Sequence, residues 1–479
     1  MTEPRPLLIG HERRKTGMTA PVVNPFTRQR VAEVCLAEKD EAEEAIAISA
    51  KAFPAMRRLS AHARATALAK IVTGLTARQE EFARTITAEA GKPITDARRE
   101  VGRAIQTFTV AVEEAKRISG EVIPLDLSPG MEPYLGMTRR FPIGPVLGIT
   151  PFNFPLNLVA HKVAPCLAAG NPIVLKPAPQ TPLTALLLGE LVLETGLPPG
   201  AMSVVPCDNI VAEQMVVDPR FRLLSFTGSA AVGWMLRAKC GNKHVVLELG
   251  GNAGVIVEPD ADLDVAAQRC VTGGYVYSGQ TCISVQRVFA HEMVYESFLQ
   301  KVLTRVETLK AGDPADERTV VGPLIDEAAA RRVEAWIAEA VGQGARVRIG
   351  GKRSGALVDP TVLTDVTPAM KVSCREVFGP LITITAYRTF DEAVQALNDS
   401  DFGLQAGVFT RDVENVFHAF RDLEVGTVLV NEIPTFRADH MPYGGMKDSG
   451  LGREGVRYAI DEMTELKLLV LKLRETPSA

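Results

Sequence analysis

Between about residues 38 and 117 the apolar positions recur every three to four residues. DEAEEAIAISAKAF, ARATALAKIVTGLTARQEEFARTITAEAG and DARREVGRAIQTFTVAVEEAKRI all carry that spacing, which predicts helices that bury one face. Gly91 and Pro93 mark the end of one of them. The next stretch, GEVIPLDLSPGMEPYLGMTRRFPIGP, is rich in proline, has no helical period and reads as extended chain. Beyond it the rhythm changes. Short apolar runs (VLGITP, PIVLKP, MSVVP, RLLSFTG, HVVLELGG) alternate with helical segments (LNLVAHKVAPCLAAG, PLTALLLGELVLETG, IVAEQMVVD, SAAVGWMLRAKCG). Strands that are apolar throughout are buried on both faces, so the alternation predicts a parallel sheet with helices on either side.

A second alternation starts at LDVAAQRCVTGG and continues through SVQRVFAHE, MVYESFLQKVLTRVETL, PLITITAYR, FDEAVQALND, AGVFT and GTVLVNE. It places a second α/β unit at about residues 248–449. The terminal segment ELKLLVLKL is apolar and extended, and such a strand needs a partner in its own sheet or in another subunit. The chain of 479 residues, 46% hydrophobic and 23% charged, is long enough for more than one core.

A net charge of −4 without a basic tract gives no footing for nucleic acid or an anionic membrane. The N-terminus has no signal-peptide pattern and no apolar run is long enough to span a bilayer, so a cytoplasmic location is the expectation. The seven cysteines are scattered, with no CxxC and no HExxH, which argues against a disulfide framework and a structural metal.

One cysteine stands apart. GGYVYSGQTCIS (273–284) sets Cys282 in a stretch rich in Gly, Ser and Thr, where a packing residue is out of place. Other segments offer chemistry at strand ends. SFTGSAAVG has Gly228 and Ser229 where a strand turns into a helix, a place with free backbone N–H groups suited to a pyrophosphate; an ordinary capped helix is the plainer reading. Lys176 ends a strand in VLKPAPQTP, as a ribose or phosphate ligand or as a solvated loop lysine. Glu248 ends the strand of VLELGG, where partial burial suits a base. Asn153, held between aromatics and prolines in PFNFPLN, is a fixed amide donor of the kind that stabilises an oxyanion, or a turn asparagine. The dinucleotide pattern GLGREG at 450–455 follows no apolar strand and reads as a turn with another purpose. Each signal is weak alone; their combination is specific.

PFNFP, VLKPAPQTP, SFTGS, LELGG, GQTC, EVFGP and PYGGMKDSGLGREG occur in that order between about residues 140 and 467. On these segments the chain resembles the NAD(P)-dependent aldehyde dehydrogenase superfamily, closest to its succinate-semialdehyde and lactaldehyde branch. The resemblance implies an α/β fold with two doubly wound parallel-sheet domains plus a small β oligomerisation arm. The dinucleotide-binding domain would take residues 1–118 and 143–247, the catalytic domain 248–449 and the arm 119–142 and 464–479, in a homodimer or homotetramer. It implies that Cys282 is the nucleophile, that Asn153 and the Cys282 N–H hold the oxyanion, and that Glu248 activates water. Lys162 and Glu465 would assist proton release. NADP or NAD would be held by Thr150, Pro151, Phe152, Lys176, Pro179, Gly228, Ser229, Leu249, Glu376 and Phe378.

Three departures refine the expectation. Members that prefer NAD usually carry a glutamate where this chain has Pro179, which neither bonds ribose hydroxyls nor repels a 2′-phosphate, so NADP should be accepted alongside or ahead of NAD. Ala230 stands where the family favours threonine. The pocket positions read Asn157, His161 and Arg437, with Arg103 nearby, where members acting on fatty aldehydes are apolar; arginine suits a carboxylate or phosphate. A short anionic aldehyde is therefore expected, succinate semialdehyde first, with lactaldehyde or a phosphonate- or sulfonate-bearing aldehyde as the alternative. Glu248 argues for hydrolysis over transfer to coenzyme A. A catalytically silent binding or structural relative would be expected to lose Cys282, Glu248 or Asn153, and all three are present.

Overall fold

The computed structural model describes residues 3–473. The last six residues of the expected arm, 474–479, lie outside them. One eight-stranded sheet runs in the spatial order Glu12–Arg14, Leu7–Ile9, Met202–Val204, Ile173–Lys176, Val146–Ile149, Leu223–Thr227, His244–Glu248, Gly450–Leu451. The five strands from Met202–Val204 to His244–Glu248 are parallel. The apolar runs are buried as the pattern requires: every residue of Val146–Ile149, Ile173–Lys176 and Leu223–Thr227 lies inside. Alternate residues feed two cores. Val146, Ile173, Leu175 and Leu223 pack with the helices Ala61–Ala77, Ile94–Glu114, Asn157–Ala169 and Leu183–Leu193. Leu147, Ile149, Val174, Leu224 and Phe226 pack on the other face with Lys39–Met56 and Asn209–Val217.

The chain enters this sheet's parallel core at Val146–Ile149, steps outward to Ile173–Lys176 and Met202–Val204, then returns to the opposite side of its starting strand with Leu223–Thr227. Connections leaving in opposite directions open a crevice at the carboxyl ends of the two central strands, where such sheets bind ligands. Here it opens beyond Ile149 and Thr227.

The second sheet has seven strands in the order Arg346–Ile349, Thr361–Thr364, Leu381–Tyr387, Arg287–His291, Gly254–Val257, Gln405–Phe409, Thr427–Val430, parallel except at its first pair. A three-stranded antiparallel sheet stands apart: Thr464–Lys472 pairs along its whole length with Tyr134–Pro142, and Val122–Pro124 lies on the far edge. The apolar terminal strand thus finds its backbone partner within the chain, yet Leu466, Leu468, Leu469 and Val470 stay 46–56% exposed. No described helix is long and apolar enough to cross a membrane.

The structure adds what periodicity missed. The strands Leu7–Ile9, Glu12–Arg14, Thr19–Val23 and Arg30–Cys35 precede the helices. The long helical stretch breaks at Arg78 (φ −110°, ψ 21°) into Ala61–Ala77 and Gln79–Ala90, the latter ending at Gly91 in the left-handed region.

The Cys282 loop is set by its backbone. The helix Leu263–Tyr275 is followed by three left-handed residues, Tyr277, Ser278 and Gly279 (φ 46°, 56° and 70°). Two of them are non-glycine and strained. Side chains hold them there: the Tyr277 hydroxyl donates to the Ala90 carbonyl at 3.1 Å and the Ser278 hydroxyl to that of Gly322 at 2.8 Å. A Cβ at Gly279 would stand 2.1 Å from the Gly379 carbonyl oxygen. Gly279→Ala should therefore push this loop off the 376–380 segment and lower the thermal midpoint by roughly 2–4 °C. Gly342→Ala, where a Cβ meets nothing within 4 Å, is the control and should leave it unchanged.

Candidate active site

Around the crevice of the eight-stranded sheet, Thr150, Pro151 and Phe152 follow Val146–Ile149, and the Thr150 N–H donates to the Lys176 carbonyl at 3.2 Å. Lys176 is 5% exposed and has no ion-pair partner among the described residues. Burial lowers its pKa, and only the nearby Cys207 and Asp208 oppose that. A buried ammonium in that position gains from an anion. Ser229 is the N-cap of Ala230–Lys239, and its hydroxyl makes no capping bond, so it and the first helical amides stay free. The Phe226 ring lies where a Cβ on Gly228 would come within 2.6 Å, so only glycine leaves that turn undisturbed. Leu249 is buried and its N–H donates to the Ser449 carbonyl at 3.0 Å. Pro179 is exposed just beyond Lys176.

Across the crevice, Glu376 accepts from the Gly251 N–H at 3.0 Å, and burial pushes its carboxyl up to about 7. Phe378, at φ 48°, meets Phe152 edge-on with ring centroids 5.9 Å apart. The unpaired Lys176, the free Ser229 hydroxyl and the helix terminus are groups that can bind the phosphates or ribose of a dinucleotide. The expected cofactor residues thus stand on two sides of one crevice.

Cys282 lies between the sheets. Its sulfur is 3.0 Å from the Tyr443 hydroxyl, and its backbone N–H has no acceptor among the described residues. Burial pushes the thiol up to about 12; the Tyr443 hydrogen bond works the other way. Asn153 is 3% exposed and donates one amide hydrogen to the Gln280 carbonyl at 3.0 Å. Gln280 is itself fixed, accepting from the Ile325 N–H at 2.8 Å. Asn153 therefore keeps a second amide hydrogen and the Cys282 N–H is unspent, donors of the kind that hold a developing oxyanion.

Behind Cys282 is a cluster of buried charge. Glu454 (2% exposed) accepts from Arg437 Nη2 at 2.9 Å and lies 3.4 Å from Lys162 Nζ. Burial acts against ionisation of Glu454, but Lys162 and Arg437 outweigh it and hold the carboxyl down to about 2. Lys162 also donates to Ser225 Oγ at 3.0 Å. Glu248, at the end of His244–Glu248 and 2% exposed, has no hydrogen bond to either carboxylate oxygen. Burial, then the Glu454 charge, push its pKa well above the ordinary value. A carboxylate with both oxygens free is available to accept a proton from water.

The structure corrects the placement of Glu465. It lies on the outer strand Thr464–Lys472, about half exposed, with its carboxylate 3.1 Å from His244 Nε2. The carboxylate beside Lys162 is Glu454. Its position inside GLGREG was readable only as a turn, because the antiparallel bridge that turns it inward, to Tyr443, is a tertiary contact.

The residues expected around the substrate divide in two. Arg103, Asn157 and Arg437 line a cavity of about 170 Å³ together with Cys282 and Tyr443. His161 does not; it is 1% exposed behind the wall, its Nε2 2.9 Å from Asp439. Asp439, unmarked in the sequence reading, gathers these groups, accepting from Arg103 Nη2 at 2.7 Å and Asn157 Nδ2 at 3.1 Å. Both arginines keep spare donors: Arg103 Nη1 and Arg437 Nη1 have no protein acceptor among the described residues, and Arg437 Nε is buried without one.

A sheet crevice, a cysteine with unspent amide donors near it and a free buried carboxylate together have the chemistry that aldehyde oxidation needs. The aldehyde dehydrogenase family model matches residues 12–469, and the chain belongs to that family. It is 45% identical over 468 residues to 3-sulfolactaldehyde dehydrogenase of Priestia aryabhattai, with 98% of each chain covered. The crystal structure of aldehyde dehydrogenase 21 from Physcomitrella patens in complex with succinate superposes with a TM-score of 0.97 at 45% identity, covering 99% of this chain and 100% of that one. An NADP complex of glyceraldehyde-3-phosphate dehydrogenase from Methanocaldococcus jannaschii gives 0.92 at 36% identity, over 95% and 100%. The α/β fold and NAD(P)-dependent aldehyde oxidation follow.

Burial works against the Asp439 carboxylate, but the His161 and Arg103 bonds win and hold its pKa below the usual range. A depressed carboxyl stabilises the fold above its unfolded pKa, and that contribution fades as the pH falls below about 4. Asp439→Asn should cost roughly 2–3 kcal/mol at neutral pH, less than a fully buried pair because Arg103 is 31% exposed. In denaturation measured against pH, the gap from wild type should close on acidification.

Proposed function

We propose that this dehydrogenase oxidises a short aldehyde with an anionic far end to its carboxylic acid, succinate semialdehyde being favoured, and uses NADP at least as well as NAD. The observation that carries this is the pair of arginines with spare donors in the cavity beside Cys282. Lys92, Arg99, Arg103 and Arg437 line it, and although Glu100, Asp96, Asp439 and Glu454 each bond one of them, Arg103 and Arg437 keep Nη1 donors without a protein acceptor among the described residues. The cavity volume of about 170 Å³ is small for a ligand pocket, which argues for a short substrate. A sulfonate fits the same cations, and the likeness to a 3-sulfolactaldehyde dehydrogenase supports that second reading. Lactaldehyde, which has no anionic group, is the neutral comparison.

In this reading the Cys282 thiolate adds to the carbonyl carbon while Asn153 and the Cys282 N–H take the oxyanion. The dinucleotide, when bound, supplies the hydride acceptor that turns the adduct into a thioester on Cys282. Glu248 then takes a proton from the water that attacks the thioester, releasing the acid and the thiolate. Lys162, Arg437 and Glu454 fix the electrostatic surroundings of Glu248. The apolar side chains left exposed on Thr464–Lys472 support a homodimer or homotetramer built through that strand.

Arg437 is buried on Glu454, whereas Arg103, though bonded to Asp439, is 31% exposed, so Arg103 is the cleaner probe of the anion. Arg103→Met should raise KM for succinate semialdehyde about 10–100-fold while changing that for butanal little, since one charge-assisted hydrogen bond is lost. Equal changes for both aldehydes would refute an anionic substrate. Comparing kcat/KM for succinate semialdehyde, 3-sulfolactaldehyde and lactaldehyde ranks the readings. For the cofactor, Pro179→Glu places a carboxylate beyond Lys176 where a 2′-phosphate would be repelled, and should lower kcat/KM for NADP by about tenfold or more relative to NAD. An unchanged ratio would remove the argument from Pro179.

A further inference from the structure

Tyr443 is 2% exposed, and its hydroxyl has one hydrogen-bond partner among the described residues, the Cys282 sulfur at 3.0 Å. Its backbone is pinned in an antiparallel bridge, the Tyr443 N–H donating to the Glu454 carbonyl at 3.0 Å. Its ring is pinned by the Arg437 guanidinium, 3.7 Å above the centroid and bonded in turn to the Glu454 carboxylate at 2.9 Å. A phenylalanine would fill the same space. A buried hydroxyl costs free energy unless it is bonded, and a neutral thiol is a weak partner, whereas a thiolate is a strong acceptor.

We propose that Tyr443 is a further catalytic residue: its phenol donates a hydrogen bond to the Cys282 thiolate and so eases loss of the thiol proton, with Arg437 over the ring strengthening the donor. This rests on Cys282 being the nucleophile. The charged and titratable groups that bear on the sulfur are Glu376, Glu248, Arg437 and Tyr443 itself. Burial and the two carboxylates disfavour the thiolate; Arg437 and the phenol favour it. With both groups protonated either atom can donate, but once Cys282 is a thiolate only the phenol can. Burial, with Cys282 and Glu248 adding to it, holds the phenol well above its ordinary value against Arg437, so Tyr443 remains protonated at neutral pH. When Cys282 ionises, its proton leaves for solvent and the phenol proton remains on Oη.

The test is alkylation by iodoacetamide, followed at the Cys282 peptide by mass spectrometry as a function of pH, in the full-length wild type and Tyr443→Phe. The variant should show its midpoint raised by about one to two pH units and alkylation at neutral pH slowed about 10–100-fold, with NADP binding unchanged. Incorporation of 3-fluorotyrosine at position 443 keeps the shape and makes the phenol a stronger donor; it should move the midpoint down, and it decides the matter if Tyr443→Phe fails to fold. An unchanged profile in folded protein overturns the proposal. Turnover retained in Cys282→Ser would instead overturn the assignment of the nucleophile, a separate result.

Discussion

Much of this site depends on one constraint: inside the protein the Glu454 carboxylate has to sit between Lys162 and Arg437. All three side chains are 0–5% exposed. Desolvating such a cluster is expensive, and its attraction roughly offsets that cost rather than adding net stability. Removing Glu454 would leave two buried cations uncompensated, so the arrangement holds position more than it adds free energy. Lys162 comes from the helix that follows Asn153, Arg437 from the loop over the cavity, and Glu454 from the segment that pairs with His244–Glu248. Three parts of the chain distant in sequence are thereby fixed around Glu248 and Cys282.

The same cluster separates two carboxylates by function. Glu454 sits between two cations and stays ionised, while Glu248 close by has neither hydrogen-bond partner and is pushed up by burial and by Glu454. Opposite shifts in adjacent acids suit one to an electrostatic task and the other to proton transfer. Asp439 plays a parallel part on the substrate side, holding Arg103, Asn157 and His161 so that the cavity wall keeps its shape.

The sheets supply the backbone geometry. The crevice beyond Ile149 and Thr227 follows from the order in which the chain builds its parallel core, and it presents Lys176 and Ser229 on one side. Glu376 and Phe378 reach it from the segment before Leu381–Tyr387 in the other sheet. The left-handed run Tyr277–Gly279 then brings Cys282 up from the second sheet toward Asn153, which follows a strand of the first.

Hydrophobic periodicity alone established the alternating strands and helices, because continuous apolar runs and three-to-four spacing are local properties of the chain. Local motifs likewise singled out Cys282, Asn153, Glu248, Lys176 and Ser229, since a strand end or a glycine turn is visible in a few residues. What no segment contains is who meets whom. Glu454 stands in a glycine-rich turn and Glu465 in an apolar extended segment, and neither setting shows that the bridge between Glu454 and Tyr443 turns the first inward. The sequence counted His161 and Arg437 as substrate contacts, but tertiary structure spends the first on Asp439 and most of the second on Glu454 and Tyr443. Charge is legible in a sequence; whether that charge is already neutralised depends on long-range packing, and the packing alone decided it here.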